Sequence, residues 1–270
     1  MKRIVIIGIF FSIVFGCKQH VQENNVQYNP FDFMPVINYK LVNTFPHDTL
    51  SFTEGFLFHN NQLFESTGSP AEQPELKSYI GIIDLKTGKV SKKVELDRKY
   101  FGEGIAFFNG KIYQLTYKSH IGFIYDAKTY KQLGTFSFQN KEGWGMTSDS
   151  TDLIMSDGSN ILTYIDPVKL TPVKTLTVSY NGYAIDNLNE LEYIKGFIFA
   201  NIWTSNLIVK IDAQTGKIVG KIDLSSFQYE TQNKYRYADV LNGIAYDPES
   251  QTIFITGKLW PNIYQLKLNN

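Results

Sequence analysis

The sequence of 270 residues contains one cysteine, Cys17, and only four histidines. A single cysteine cannot form a disulfide within the chain, so no disulfide framework supports the fold. His59 and His120 lie far apart in the sequence, which argues against a zinc site built from histidines. Lysine and arginine balance aspartate and glutamate at 26 each, and there is no basic run, so charge gives no case for nucleic-acid binding.

Several motifs of well-known enzyme classes are also missing. The chain has no glycine-rich phosphate loop, no HExxH pair and no GxSxG nucleophile elbow. Nothing in it resembles a nucleophilic triad. A phosphate-binding, zincin or serine-hydrolase reading therefore has no support in the sequence.

Long hydrophobic runs are absent beyond the N-terminus. There, Lys2 and Arg3 precede an apolar run over residues 4–15, which is the pattern of an export signal. The run is shorter than the about 20 residues needed to span a bilayer. Cys17 ends a stretch, Val14-Phe15-Gly16-Cys17, that resembles a bacterial lipobox. We therefore predict an exported lipoprotein in the periplasm or at the cell surface, anchored in the membrane through Cys17, with free secretion as the alternative.

Three segments follow from these patterns. Residues 1–17 are the predicted signal peptide, and residues 18–38 are a predicted flexible tether, polar at first and more apolar from Phe31 to Asn38. Residues 39–270 form the predicted domain. Beyond the signal peptide no stretch of twelve or more residues has a sustained helical period, whereas aromatic residues make up 15% of the chain. The domain is therefore predicted to be all-β.

The domain repeats itself loosely five times. Each unit opens with a short, usually glycine-centred stretch, and we take as anchors Gly55, Gly104, Gly145, Leu191 and Gly243. Repeats of roughly 40–50 residues built from short strands are typical of β-propellers. Each unit has room for about four strands, the number in a propeller blade. We predict a five-bladed β-propeller with four-stranded antiparallel blades.

The two ends of the domain predict how the ring closes. The last unit ends near Leu268 and looks one strand short, while residues 39–45 form a spare strand before the first anchor. Pairing them would complete the last blade and cover an exposed strand edge.

Acidic and aromatic residues recur near the start of the units. Glu54, Glu103, Glu190 and Glu142 would face a central channel, where carboxylates could bind a cation or hold one proton-active acid. The alternative is that small and acidic residues simply fit a narrow, wet channel. Other candidates for a site at the mouth of the channel are Trp144, Trp203 and Lys258.

A series of short motifs carries a family resemblance over about residues 39–268. Each motif is weak alone, but they occur in order and in every repeat. The series resembles the glutamine cyclotransferase family, the plant and bacterial type of glutaminyl-peptide cyclotransferase. Its motifs are Phe52-Thr53-Glu54-Gly55, Gly102-Glu103-Gly104, Leu115-Thr116-Tyr117, Gly122-Phe123-Ile124-Tyr125-Asp126, Glu142-Gly143-Trp144-Gly145, Leu188-Asn189-Glu190-Leu191-Glu192-Tyr193, Asn201-Ile202-Trp203 and Thr256-Gly257-Lys258-Leu259-Trp260-Pro261.

The resemblance implies a reaction and roles for nine residues. Peptides or proteins with an N-terminal glutamine would be converted to the pyroglutamyl form with release of ammonia. Glu103 would shuttle the proton, with Asn189 and Lys258 contacting polar groups of the substrate. The walls of the substrate pocket would come from Phe52, Glu54, Phe101, Tyr117, Trp144 and Trp203. The family can hold a structural calcium, whose ligands cannot be assigned residue by residue here, and its catalysis uses no metal or other cofactor.

The chain departs from the family pattern at two of these positions. Family members often carry glutamine where this chain has Glu54, and many carry tryptophan where it has Tyr117. A carboxylate at the first position could repel Glu103 or share its proton. The second change makes one wall smaller and gives it a hydroxyl group.

Two other functions compete with the cyclotransferase. One is a calcium-dependent propeller lactonase or esterase, with the cation held by residues such as Glu54, Asn189 and Asn242. The other is a propeller without catalytic activity that binds peptides or glycans at the cell surface.

Overall fold

The computed structural model describes residues 29–269, so the predicted signal peptide and Cys17 lie outside the described residues. The described chain starts with a short 3-10 helix, Pro30–Phe33, followed by the strand β1 (Tyr39–Pro46). Residues 29–38 include the more apolar part of the predicted tether, and this part lies against the domain. Met34 is buried there, and Ile37 N donates to Lys221 O at 2.7 Å.

After β1, the chain forms four consecutive units of four antiparallel strands. Blade 1 contains β2 (Thr53–His59), β3 (Gln62–Thr67), β4 (Tyr79–Ile83) and β5 (Val90–Glu95). Blade 2 contains β6 (Gly102–Phe108), β7 (Lys111–Thr116), β8 (Ile121–Asp126) and β9 (Gln132–Ser137). Blade 3 contains β10 (Met146–Ser148), β11 (Leu153–Met155), β12 (Ile161–Ile165) and β13 (Pro172–Thr177).

A small hairpin, β14 (Ser179–Tyr180) and β15 (Tyr183–Ala184), connects blade 3 to blade 4. Blade 4 contains β16 (Leu188–Ile194), β17 (Phe197–Ile202), β18 (Leu207–Asp212) and β19 (Ile218–Asp223). The helix α1 (Ser225–Lys234) follows, within the region that lacked strand alternation in the sequence. It packs through Phe227 on Tyr264, with ring centroids 4.3 Å apart.

The last blade joins the two ends of the domain. Blade 5 contains β20 (Leu241–Asp247), β21 (Thr252–Gly257), β22 (Asn262–Leu268) and β1. β1 pairs antiparallel with β22, from Tyr39 opposite Leu268 to Pro46 opposite Asn262. The five blades, their four-stranded antiparallel sheets and the closure by the N-terminal strand confirm the predicted fold.

Local sequence explains the tight hairpins between the first two strands of each of three blades. The two-residue turns Asn60-Asn61, Asn109-Gly110 and Lys195-Gly196 have positive φ at both positions. That geometry belongs to type I′ turns, whose twist matches the twist of the flanking strands. Asparagine and glycine, which fill all of these turn positions except Lys195, adopt this geometry at low cost. The turn sequences therefore set the hairpins.

The apolar core is divided among the contacts between neighbouring blades. Among residues 29–269 there are five buried clusters, and each joins residues of two adjacent blades. In the cluster between blades 5 and 1, Phe56 contacts a group that includes Phe254 and Ile263. Burial of these faces stabilises the ring, and it holds the first strands of all blades around one axis.

The first strands approach each other too closely for side chains at some positions. A Cβ atom on Gly104 would lie 2.4 Å from Met146 N, and one on Gly145 would lie 2.1 Å from Asn189 O. Only glycine fits at such distances. No helix among residues 29–269 is long and apolar enough to cross a membrane.

Candidate active site

A β-bulge near the start of the first strand positions polar side chains in four of the five blades. Each bulge places one extra residue opposite its partner strand, at the shifts Thr53/Gly55, Gly102/Ile105, Leu188/Leu191 and Leu241/Ile244. Bulges re-aim side chains and interrupt regular pairing. The equivalent residues at the bulges are Glu54, Glu103, Asn189 and Asn242.

This register corrects the proposed equivalence of the acidic residues. Asn189, not Glu190, occupies in blade 4 the place of Glu54 and Glu103. Glu190 lies one residue later, where the other blades have glycine, so it replaces Leu191 as the anchor. Its carboxylate accepts hydrogen bonds from Phe56 N at 3.1 Å and Ile244 N at 2.8 Å. Glu190 therefore links blade 4 to blades 1 and 5.

Nine side chains meet around a cavity of about 160 Å³ at one end of the channel. Some come from the starts of first strands, and the others from the ends of second strands, because both open on the same face of the propeller. The lining residues are Phe52, Glu54, Phe101, Glu103, Tyr117, Trp144, Asn189, Trp203 and Lys258. These are the nine residues that the family resemblance implied for the site, and the structure brings all of them together.

Aromatic rings form two walls of the cavity. Phe101 packs edge-on against Phe52, with centroids 6.1 Å apart, and lies 5.7 Å from the ring of Tyr117. Trp144 and Trp203 form a T-shaped pair at 5.4 Å. Trp203 is 41% exposed and so lies at the rim, where it can contact both the cavity and the solvent.

Trp144 is held by a residue outside the cavity. Its Nε1 donates to Glu142 Oε2 at 2.9 Å, and Lys118 Nζ lies 3.5 Å from the other oxygen of that carboxylate. Gly158, with φ of +82°, leaves room for the indole, because a Cβ atom there would lie 2.8 Å from the ring. Glu142 thus orients the tryptophan rather than lining the cavity.

Opposite charges meet at the junction of blades 1 and 5. Lys258 Nζ lies 2.6 Å from Glu54 Oε1, and Asn242 Nδ2 donates to Glu54 Oε2 at 3.1 Å. Lys258 Nζ also lies 4.6 Å from the centroid of the Phe52 ring. Burial raises the pKa of Glu54 to about 7, although Lys258 acts in the opposite direction.

Sequence reasoning did not assign Asn242 to the cyclotransferase site. A signal for it was present, since Asn242 precedes Gly243 as Glu54 precedes Gly55 and Glu103 precedes Gly104. Its side chain also donates to Thr53 O at 3.0 Å, so it fixes the backbone beside Glu54.

Glu103 is the carboxyl group with the fewest partners in the cavity. It is only 4% exposed, and no residue among 29–269 donates a hydrogen bond to its carboxyl oxygens. Burial and the nearby carboxylates of Glu54 and Glu142 raise its pKa well above the ordinary value, while Lys258 lowers it. A carboxyl group with a raised pKa is a stronger base than an ordinary glutamate and can act as a general acid and base.

The backbone that carries Glu103 is held firmly. The hydroxyl of Ser66 donates to Glu103 O at 2.5 Å and accepts from Gln114 Nε2 at 2.9 Å. Across the cavity, the side-chain oxygen of Asn189 is buried and has no protein partner within residues 29–269. An unpartnered buried acceptor in a cavity is available to a ligand.

The side chains give little support to a metal site. No group of three or more His, Cys, Asp or Glu side chains within residues 29–269 is arranged to hold a metal ion. Two of the three residues considered for a lactonase cation, Glu54 and Asn242, bond to each other, and the ammonium group of Lys258 lies where a cation would bind. The donor set does not fit a calcium ion in this cavity.

Known proteins resemble this chain over most of its length. A sequence profile described as glutamine cyclotransferase matches residues 12–268. A glutaminyl-peptide cyclotransferase of Arabidopsis thaliana is 39% identical over 231 residues, which is 85% of this chain and 71% of that protein. The crystal structure of Myxococcus xanthus glutaminyl cyclase superposes with a TM-score of 0.79 at 33% identity, covering 87% of this chain and 98% of that one. The chain therefore belongs to the glutamine cyclotransferase family.

Proposed function

We propose that the protein is a glutaminyl-peptide cyclotransferase, which converts the N-terminal glutamine of peptides or proteins to pyroglutamate and releases ammonia. The observation that carries this proposal is the buried Glu103 carboxyl inside an aromatic cavity, with a raised pKa and no hydrogen-bond donor in the described part of the chain. The family membership and the similarity to a glutaminyl-peptide cyclotransferase support the same reaction.

The size of the cavity suits one amino-acid residue. Its volume is about 160 Å³, well above the about 10–15 Å³ needed to hold one water molecule. A folded glutamine side chain with its α-amine fits this space better than a longer peptide segment. The rest of the bound peptide would extend out of the cavity over the rim beside Trp203. Recognition would therefore depend mainly on the terminal residue.

The reaction is an intramolecular transfer. The α-amine nitrogen forms a bond to the side-chain amide carbon of the same residue, and the bond from that carbon to the amide nitrogen breaks. Because nucleophile and carbonyl share one residue, the enzyme has only to hold them in the folded arrangement. A proton leaves the attacking amine, and a proton joins the departing nitrogen to give ammonia. The reaction therefore neither consumes nor releases protons overall.

Glu103 carries that proton in the proposed mechanism. Its carboxylate accepts the proton from the amine and then delivers it to the leaving nitrogen. The raised pKa makes its carboxylate a stronger base than that of an ordinary glutamate. The surrounding rings exclude water, which preserves this pKa and strengthens the charge interactions.

Asn189 and Lys258 orient the substrate. The unpartnered oxygen of Asn189 accepts a hydrogen bond from the α-amine. One ammonium hydrogen of Lys258 is engaged by Glu54, and another is free to donate to the amide oxygen, where negative charge develops. The six other lining residues shape the pocket around these groups.

The activity test uses the domain with a glutamine-initiated peptide and follows ammonia release, with and without a chelator. We expect turnover to survive the chelator, because we propose that catalysis uses no metal or other cofactor. Thermal unfolding with and without calcium, in the same samples, tests for a structural calcium ion. Activity on lactones that the chelator abolishes would favour the esterase alternative, and inactivity in both assays would favour a binding protein.

We further propose that the protein is exported and anchored in a membrane through lipidated Cys17. The N-terminal charge, the apolar run and the lipobox-like stretch support this proposal. In a bacterial host, the wild-type protein should fractionate with membranes, and Cys17→Ala should release it or block its processing. A soluble wild-type protein whose mature N-terminus carries no lipid would instead indicate free secretion.

A further inference from the structure

A second buried ion pair lies beside the site but outside the cavity. His47 follows the closing strand β1, and Glu65 belongs to β3 of blade 1. His47 Nε2 lies 2.9 Å from Glu65 Oε1, and both side chains are completely shielded from solvent. Neither residue lines the cavity, and the mechanism above does not use them.

The hydrogen bonds of His47 suit a charged ring. Its Nδ1 lies 2.8 Å from the backbone carbonyl oxygen of Trp260, which can only accept. Its Nε2 faces Glu65, so with Glu65 ionised both ring nitrogens carry hydrogen. Burial lowers the pKa of His47, but the charge and hydrogen bond of Glu65 outweigh this effect and raise it. Asp48 and the hydroxyls of Tyr79 and Thr256 also face this region.

Glu65 holds both neighbours of Phe52. Ser51 Oγ donates to Glu65 Oε2 at 2.8 Å, and Thr53 Oγ1 donates to Glu65 Oε1 at 2.7 Å. The segment between them carries Phe52 into the cavity, and Glu54 follows immediately. The position of this edge of the pocket therefore depends on the Glu65 carboxylate.

His47 holds the neighbouring segment, which contains Lys258 and Trp260. Trp260, whose carbonyl His47 contacts, lies two residues after Lys258. The same two segments are joined directly, since Leu259 N donates to Ser51 O at 2.8 Å. One buried pair thus bonds to the backbone or side chains next to Phe52, Glu54 and Lys258.

We propose that His47 and Glu65 form a positioning pair that sets the placement of Lys258 against Glu54 and Phe52. For its kinetic consequences this inference rests on the proposed cyclotransferase function. It assigns His47 and Glu65 no contact with substrate. Their role is to keep the Lys258 ammonium at the distance from Glu54 at which it can also reach the substrate amide.

The kinetic test compares His47→Gln and Glu65→Gln with the wild type, each well below its unfolding temperature. We expect kcat to fall by tenfold or more in each variant with a smaller change in KM, because a displaced Lys258 weakens stabilisation of the transition state more than binding. The double variant should lose no more than the worse single variant, as expected for two residues that act as a pair.

The control is Glu192→Gln, which alters another buried acid on a first strand. Glu192 accepts from Tyr246 N at 2.8 Å and does not line the cavity. It should keep the wild-type kcat, whatever its effect on stability. If all three variants lose kcat in proportion to their loss of stability, the positioning role is wrong.

A readout without substrate separates this inference from the proposed function. Nitrogen NMR of the wild type should show both ring nitrogens of His47 protonated at neutral pH, and the Lys258 side-chain signal, assigned with Lys258→Arg, should shift in His47→Gln. If the wild type is inactive but His47 is doubly protonated and the Lys258 signal shifts in His47→Gln, the proposed function is contradicted and the positioning pair is supported. A neutral His47 in the wild type, or an unshifted Lys258 signal in His47→Gln, would overturn the proposal that His47 and Glu65 position Lys258.

A milder variant covers the case in which both substitutions prevent folding. Ser51→Ala removes one hydrogen bond from Glu65 and leaves the charges in place. It should shift the Lys258 signal in the same direction by a smaller amount and lower kcat severalfold. No shift and an unchanged kcat would contradict the proposal.

Discussion

Lys258 Nζ lies 2.6 Å from Glu54 Oε1, and the two residues are 204 positions apart in the chain. The pair joins the first and last blades at the edge of the cavity. It pairs one carboxylate of the pocket, whereas the Glu103 carboxyl has no hydrogen-bond donor among residues 29–269. Four predictions follow from this arrangement and from the buried acids around it.

Glu54→Gln should shift the pH dependence of turnover. The Glu54 carboxylate raises the pKa of Glu103, and its removal also leaves the Lys258 charge free to lower that pKa. The acidic limb of the kcat profile should therefore move to lower pH. A kcat profile over pH 5–9 measures this, and an unmoved acidic limb would show that Glu103 does not sense Glu54.

Glu103→Gln should abolish turnover and leave the fold intact. Loss of a general acid and base lowers kcat by about 100- to 10,000-fold. The folded-state pKa of Glu103 lies above its unfolded value, so its ionisation opposes folding as pH rises. At pH 8 the variant should therefore unfold at the wild-type temperature or above it. Near-normal turnover in the ammonia assay would remove Glu103 from its proposed role.

Glu142→Ala should loosen the Trp144 wall. It removes the acceptor for Trp144 Nε1, a hydrogen bond worth about 1 kcal/mol, so KM should rise about fivefold with a smaller change in kcat. Glu142→Gln is the matched control, because it keeps an acceptor at the same place and removes only the charge. Equal KM values for the two variants would indicate that the hydrogen bond does not orient the ring.

Glu192→Gln should flatten the dependence of stability on pH. Burial raises the pKa of Glu192 to about 8, so the folded state holds a proton that the unfolded state releases above about pH 4.3. Its contribution to stability is present below that pH and is lost as pH rises towards 8, at about 1.4 kcal/mol per pH unit. Urea unfolding at pH 5, 6, 7 and 8 measures how the free energy of unfolding changes with pH in the wild type and in the variant. Equal slopes for the two proteins would contradict the prediction.

Much of the architecture could be predicted because its signals are local. Turn pairs such as Asn109-Gly110 mark hairpins through their own conformational preferences, and the spacing of the repeats counts the blades. The closing strand was also predictable, since a spare strand at one end matched a missing strand at the other. The nine cavity residues could be named from family motifs, although their catalytic roles stay a prediction.

The positions of the bulges could not be read from the sequence. Glu190 and Asn189 are neighbours in a motif that resembles the other opening strands, and pattern alone assigned the wrong one to the series of Glu54 and Glu103. The register is decided by hydrogen bonds from Phe56 and Ile244, which belong to other blades. The place of Asn242 before Gly243 is visible in the sequence, but its hydrogen bond to Glu54 in another blade is not.

The sequence by itself determined an all-β ring of five blades and the identities of the residues that line its mouth. Repeat spacing and turn chemistry suffice for the ring, and the resemblance to the family motifs implies the residues at its mouth. Only the tertiary structure decided which charges meet. The pairs of Glu54 with Lys258 and of His47 with Glu65, and the contact of His47 with Trp260, depend on the closed ring. Closure brings the first and last blades together, and burial there makes each unpaired charge costly.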